Sequence, residues 1–177
     1  MRAPRPLVLS LAVALASGAA ADCDPVVDDA VAKLGGEAAG VPRGPLHRPG
    51  QPCLLCHQDG IGNPQRFTVA GTIFQTTGAL VAASGVQVDL IDASGASIGI
   101  VTNAAGNFYL TPSQYDPTFP VQVSLNAAGS RVQMQTLIEG NGTVEPNGGC
   151  ASCHFDPVGP STPGHVAVAL DDGGAPP

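Results

Sequence analysis

The segment Gly85-Val-Gln-Val-Asp-Leu-Ile-Asp92 sends Val86, Val88 and Leu90 to one side of an extended chain and Gln87 and Asp89 to the other. A period of two, rich in β-branched residues, is the pattern of a strand with one face in a core. The same reading spreads outward. Phe67-Thr-Val-Ala-Gly-Thr-Ile-Phe74 reads as a strand upstream. Downstream, Ala96 to Thr102 and Gly106 to Thr111 are two more, joined by the turn Asn103-Ala-Ala-Gly106. Pro120-Val-Gln-Val-Ser-Leu125 and Arg131-Val-Gln-Met-Gln-Thr-Leu-Ile138 both alternate, and Met134 falls in the second as a core residue. Short strands with turn residues at roughly 8–12-residue intervals predict a mainly β chain folded as an antiparallel β-sandwich.

Three stretches within 67–138 carry a resemblance. Val69-Ala-Gly-Thr-Ile, Val86-Gln-Val-Asp-Leu-Ile-Asp92 and Val101-Thr-Asn-Ala-Ala-Gly-Asn-Phe108 resemble the carboxypeptidase regulatory-like family. That resemblance implies a transthyretin-like (prealbumin-like) sandwich. Gly106 would supply a positive-φ turn and Phe108 would point into the core. Such a sandwich is a scaffold and carries no chemistry by itself.

The flanks differ in character. Met1 to Ala21 reads as a secretory signal: Arg2 and Arg5, a short apolar run from Leu7 to Ala16, then Ala19-Ala20-Ala21 as a cleavage site. The run is far shorter than the roughly 20 apolar residues of a spanning helix. Residues 22–66 hold one short helix and a Pro/Gly-rich loop. The helix is expected from Asp24 to Lys33, capped by Asp24 and stopped at Gly35-Gly36, with Val27, Ala30, Val31 and Leu34 as its apolar stripe. Residues 139–170 are a second Gly/Pro loop ending in a short strand from His165 to Leu170, and 171–177 are expected to be a disordered tail.

Each flanking loop carries the same pentapeptide, Cys53-Leu54-Leu55-Cys56-His57 and Cys150-Ala151-Ser152-Cys153-His154. Two thiols about one turn apart can add to the two vinyl groups of a haem, and the histidine that follows can bind its iron. The pentapeptides resemble the attachment sites of c-type cytochromes. By that resemblance Cys53, Cys56, Cys150 and Cys153 hold two covalently bound haems c, and His57 and His154 are the proximal ligands. Attachment of this kind follows export, which agrees with the signal and with a periplasmic or extracellular location. A small cytochrome c domain is helical with a late distal methionine, whereas here strands follow the first motif.

The chain has 4 histidines, and the motifs use two. His47 lies six residues before Cys53 and His165 eleven after His154. Two haems with two histidines each need all of them, so His47 and His165 are expected as distal ligands, with ordinary surface histidines as the plainer reading. Two protein ligands per iron leave no vacant position and suit electron transfer at low potential. A vacant position would suit a peroxidase-like enzyme or a sensor. A four-cysteine zinc site or a pair of disulfides would make the chain a non-redox binding module. Zinc gives no reason for a histidine after both pairs, and a redox C-x-x-C normally starts a helix after a strand.

Composition bounds the rest. The chain of 177 residues contains Gly 23, Pro 17 and no tryptophan, which suits a small domain rich in turns. Its net charge of −7 becomes more negative when Arg2 and Arg5 are removed, which disfavours nucleic acid and anionic membranes. The expected partners are redox proteins. Cys23 follows Asp22, a poor context for lipid attachment, so a lipid anchor, a disulfide to another chain and an unmodified thiol all stay open. Arg43 and Arg48 read as surface residues, with a haem propionate as the alternative partner. No nucleophile, phosphate loop or carboxylate cluster signals a catalytic site.

Overall fold

The computed structural model describes residues 25–37, 40–58, 65–76, 78–127, 129–140 and 148–168. The signal segment, Asp24, Cys23, Leu170 and the 171–177 tail lie outside them.

The chain is mainly β, with antiparallel strands and short helices. Helix α1 (Pro25–Lys33) ends at Gly35, whose φ of +72° reverses the chain. A single helical turn, α2 (Cys53–Cys56), stands in the Pro/Gly loop where irregular structure was expected. Eight strands follow: β1 (Val69–Thr72), β2 (Phe74–Thr76), β3 (Ala79–Ala82), β4 (Gln87–Asp92), β5 (Ser97–Val101), β6 (Asn107–Leu110), β7 (Val121–Ala127) and β8 (Ser130–Gln133). A 3-10 turn at Cys150–Ser152 closes the series.

One layer is the four-stranded sheet β5-β4-β7-β8. Its register places Val88 opposite Leu125, Leu90 opposite Val123 and Asp92 opposite Val121. The alternation read from 85–92 therefore builds one buried face, and Val88, Leu90 and Val121 have no exposed surface. The ribbon β1-β6 and the hairpin β2-β3 cover that face. Val69, Ile73, Phe108 and Leu110 from their side join Val86, Val88, Leu90, Val121, Val123 and Leu125 in one core, and Met134 packs at its margin. The result is sandwich-like and not closed into a barrel.

Gly106 and Phe108 behave as expected. Gly106 has φ +73°, and a Cβ there would strike the Ile73 carbonyl, which accepts the Ala83 N–H at 3.0 Å. Phe108 is 2% exposed.

Other expectations change. The single strand 67–74 is broken at Ile73, because β1 pairs with β6 while β2 turns to pair with β3. Ile73 marks the crossing, its N–H bonded to Gly106 O at 2.9 Å. Strand β3 was not anticipated: Ala79-Leu-Val-Ala82 shows no alternation, and Leu80 and Val81 stay exposed. The strand expected over 131–138 stops at Gln133, with a lone bridge from Ile138 to Val121. The last strand is reduced to a parallel bridge between Ala167 and Phe74, held by bonds of Phe74 N to Val166 O and Val168 N to Phe74 O.

Candidate functional site

Both pentapeptides dock on β1. In α2 the two cysteines are three apart, so they lie on one face of the turn. Leu54 and Leu55 point the other way and are buried, Leu54 against Phe67 and Ala70. Burying a leucine fully contributes about 1.5–3 kcal/mol, enough to fix so short a turn. The second motif reaches the same strand through its glycines. Ala70 N–H donates to Gly148 O at 2.9 Å, and Gly149 bridges Ala70. Gly71 leaves room for Cys150: a Cβ at 71 would come within 2.5 Å of its sulfur.

The two motif histidines are held alike. His57 N–H closes onto Cys53 O at 3.0 Å and His154 N–H onto Cys150 O at 2.9 Å. His57 Nδ1 lies 2.7 Å from Gln65 O, and His154 Nδ1 lies 3.0 Å from Gly164 O. A carbonyl only accepts, so each Nδ1 carries the proton and each Nε2 carries the lone pair. Burial pushes the pKa of both rings below 6.5, against a smaller upward pull from these bonds. The neutral, metal-binding form is therefore favoured.

His47 comes to the first motif. Its ring centroid is 5.9 Å from that of His57, with the planes 24° apart. His57 stacks in turn on Phe67 at 4.0 Å, and Phe67 on Tyr109 at 4.6 Å. The loop carrying His47 is anchored to the β1-β6 ribbon by two buried polar residues. Asn107 Nδ2 donates to His47 O at 3.0 Å, and Thr72 Oγ1 accepts from Gly50 N–H at 2.8 Å while donating to Asn107 Oδ1 at 2.7 Å. Asn103 Nδ2 adds a 2.6 Å bond to Pro45 O. None of these anchors was singled out from the sequence. Asn103 and Asn107 sit in the turn motif around Gly106, but nothing local says that their amides reach a loop some sixty residues earlier.

His165 comes to the second motif. Its charge, when protonated, lowers the pKa of His154. Asp156 Oδ2 lies 3.0 Å from His165 Nδ1, and the ring meets Phe74 edge-on at 5.0 Å. A Cβ on Gly50 would lie 3.3 Å from His165 Nε2. His165 therefore stands where the second motif meets the loop that bears His47.

Arg48 is not the open surface residue expected: its guanidinium reaches Glu37, Gln51 and the Gly35 carbonyl. Arg43 stays 90% exposed.

The residues fit a haem at the first motif. A cleft of about 590 Å³, lined by His47, Cys53, Cys56, His57, Phe67 and Tyr109, falls within the roughly 300–1,000 Å³ of cofactor sites. Among the described residues, no group of three or more His, Cys, Asp and Glu side chains could hold a bare metal ion. The two cysteine pairs meet β1 at different points, Cys53 beside Leu54, Phe67 and Ala70, and Cys150 over Gly71. Among the described residues, no helix is long and apolar enough to cross a membrane.

No family model matches the chain, and neither a curated protein nor a solved structure matches it.

Proposed function

We propose that this protein is an exported dihaem c-type cytochrome that passes electrons between redox partner proteins in the periplasm or outside the cell. The observation that carries the reading is the shared state of His57 and His154. Each follows a Cys-x-x-Cys pair, and each gives Nδ1–H to a backbone carbonyl, which leaves the lone pair on Nε2. That is the backing a metal-bound histidine usually has. Cys53 and Cys56 would hold one haem and Cys150 and Cys153 the other, with His57 and His154 as proximal ligands. His47 is the distal ligand beside His57, and His165 the one beside His154. A bound haem supplies a one-electron iron couple. The chain's own part would be to hold the ring through the cysteines and to supply histidine ligands that exclude others. Phe67 and Tyr109 add apolar surface against His57.

The β region would serve as the frame, and its finer identity as a carboxypeptidase regulatory-like sandwich rests on the residues of the Gly71, Asp92 and Gly106–Phe108 segments. The docking of both motifs on β1 supports haems close enough to exchange electrons. Cys23 could add a membrane anchor or a disulfide.

The test is expression in a bacterial host that matures c-type cytochromes, followed by haem-to-protein ratio and visible spectrum. Two covalent haems with six-coordinate low-spin spectra support the electron carrier. A high-spin haem would favour an enzyme or sensor. Absence of covalent haem would leave a β-sandwich module and end the proposal.

A further inference from the structure

The His47 turn is strained and clasped in a way its packing alone does not require. Among the described residues, Arg48 is the non-glycine residue with left-handed backbone, at φ +51°. Such a conformation persists only when its surroundings impose it. Backbone anchors flank it, at the His47 carbonyl and the Gly50 N–H, and its own side chain is bound as well. Nε lies 3.2 Å from Glu37 Oε1, Nη1 donates to Gln51 Oε1 at 2.6 Å, and Nη2 donates to Gly35 O at 2.7 Å. The Arg48 and Glu37 side chains are only 21% and 26% exposed, so the pair is poorly screened. Gly35 O belongs to the chain leaving α1, so the fork ties the end of that helix to the residue following His47. Only a planar guanidinium can meet three acceptors spread in this way.

Within this dihaem reading, we propose that Arg48, clasped by Glu37 and Gly35, is a positioning residue that holds His47 over His57 and keeps that iron position closed to outside ligands. The turn itself contributes two backbone bonds, His47 N to Gly44 O at 3.1 Å and Gln51 N to Arg48 O at 3.3 Å, and its Gly44 backbone meets the His47 Nδ1, so Arg48 acts on the backbone that carries the ring. Asn107 bonds the His47 carbonyl, and Arg48, the next residue, is bound through its side chain to Glu37, Gln51 and Gly35. Without the clasp, Arg48 would relax out of its left-handed conformation and swing His47 away. The device therefore acts on one haem of the two, since His165 is held by a separate contact with Asp156.

The experiment uses the haem-loaded full chain and carbon monoxide as the probe of the reduced protein. His47→Ala sets the response of an open first site. Arg48→Gln should bind carbon monoxide at one haem, with association about 10–100-fold faster than the parent, a change of the size by which metal affinity or activity falls when a supporting residue is removed; Arg48→Gly, which holds the left-handed backbone without strain, should open it less. Arg48→Lys, which keeps the charge without the fork, should fall between. Glu37→Gln, a milder change, covers the case in which an Arg48 variant does not fold. Arg48 and Glu37 variants that stay as inert as the parent, while His47→Ala opens, would overturn the clasp and leave the dihaem reading intact. An inert His47→Ala would overturn both the clasp and the assignment of His47, and absence of covalent haem would overturn the function itself.

Discussion

The imidazoles of His47 and His57 lie 5.9 Å apart, 24° from parallel, across a cleft that also presents Cys53 and Cys56. Their partners in the other half of the molecule, His154 and His165, are near enough for the charge of one to act on the other. The four histidines thus sort into two pairs, one beside each pentapeptide.

This sorting predicts two separable phenotypes. In the haem-loaded protein, His47→Ala should turn one haem high-spin and His165→Ala the other, and the double variant both. Loss of a histidine ligand should also raise the midpoint potential of the affected haem. Spectra of haem-attachment variants, with Cys53 and Cys56 or Cys150 and Cys153 changed to serine, identify which haem responds. If His165→Ala opened the haem on Cys53 and Cys56, the ligands would cross between sites.

The pairs differ in their backing. Asp156 brings a carboxylate within 3.0 Å of His165 Nδ1, while His57 Nδ1 and His154 Nδ1 each meet a backbone carbonyl oxygen. The contact is one of charge, without hydrogen-bond geometry, and a negative charge beside a metal-bound imidazole favours the oxidised metal. Asp156→Asn should raise the potential of one haem by a few tens of millivolts, below the roughly 59 mV that a tenfold change represents for a one-electron couple. A spectroelectrochemical titration that moved both potentials, or neither, would reject this.

Docking of the second motif depends on a missing side chain. A Cβ on Gly71 would sit 2.5 Å from Cys150 Sγ, 2.8 Å from its Cβ and 3.1 Å from the Phe108 ring. Gly71→Val should force the second pentapeptide off β1, costing about 1–3 kcal/mol of stability as overpacking does. The readouts are the melting temperature and haem content, with loss at Cys150 and Cys153 and retention at Cys53 and Cys56.

Acid stability should report on Asp92. Its carboxylate accepts from Ser94 Oγ at 2.6 Å, from Thr118 N–H at 2.9 Å, and from the Ser94 and Ala96 N–H groups, each at 2.9 Å. These bonds, Ser94 Oγ first, hold its pKa below the ordinary 3.8. A carboxyl with a depressed folded pKa adds stability that is complete above the unfolded value and lost as pH falls through the folded one. Thermal melts should drop as pH falls below about 3.8, and Asp92→Asn should lower the melting temperature at neutral pH and flatten that drop.

Much of the core was legible in the sequence. Val88, Leu90, Val121, Val123 and Leu125 announced their face by alternation, and Gly106 and Phe108 by the turn they form. Strand β3 was hidden because its hairpin packs no alternating face, and the break at Ile73 was hidden because a strand that changes partners keeps its own side-chain rhythm.

By itself the sequence determined the features that depend on local spacing. Two thiols one turn apart with a histidine behind them, and side chains alternating along a strand, follow from backbone geometry that any few consecutive residues share. Only the tertiary structure decided which distant groups meet. It brought both pentapeptides to β1, set Thr72 and Asn107 under the His47 loop, drew the Arg48 guanidinium to Gly35 and Glu37, and placed Asp156 behind His165. Those meetings depend on strand register and on the room that Gly71 and Gly106 leave, and both are set by how the layers close on one core.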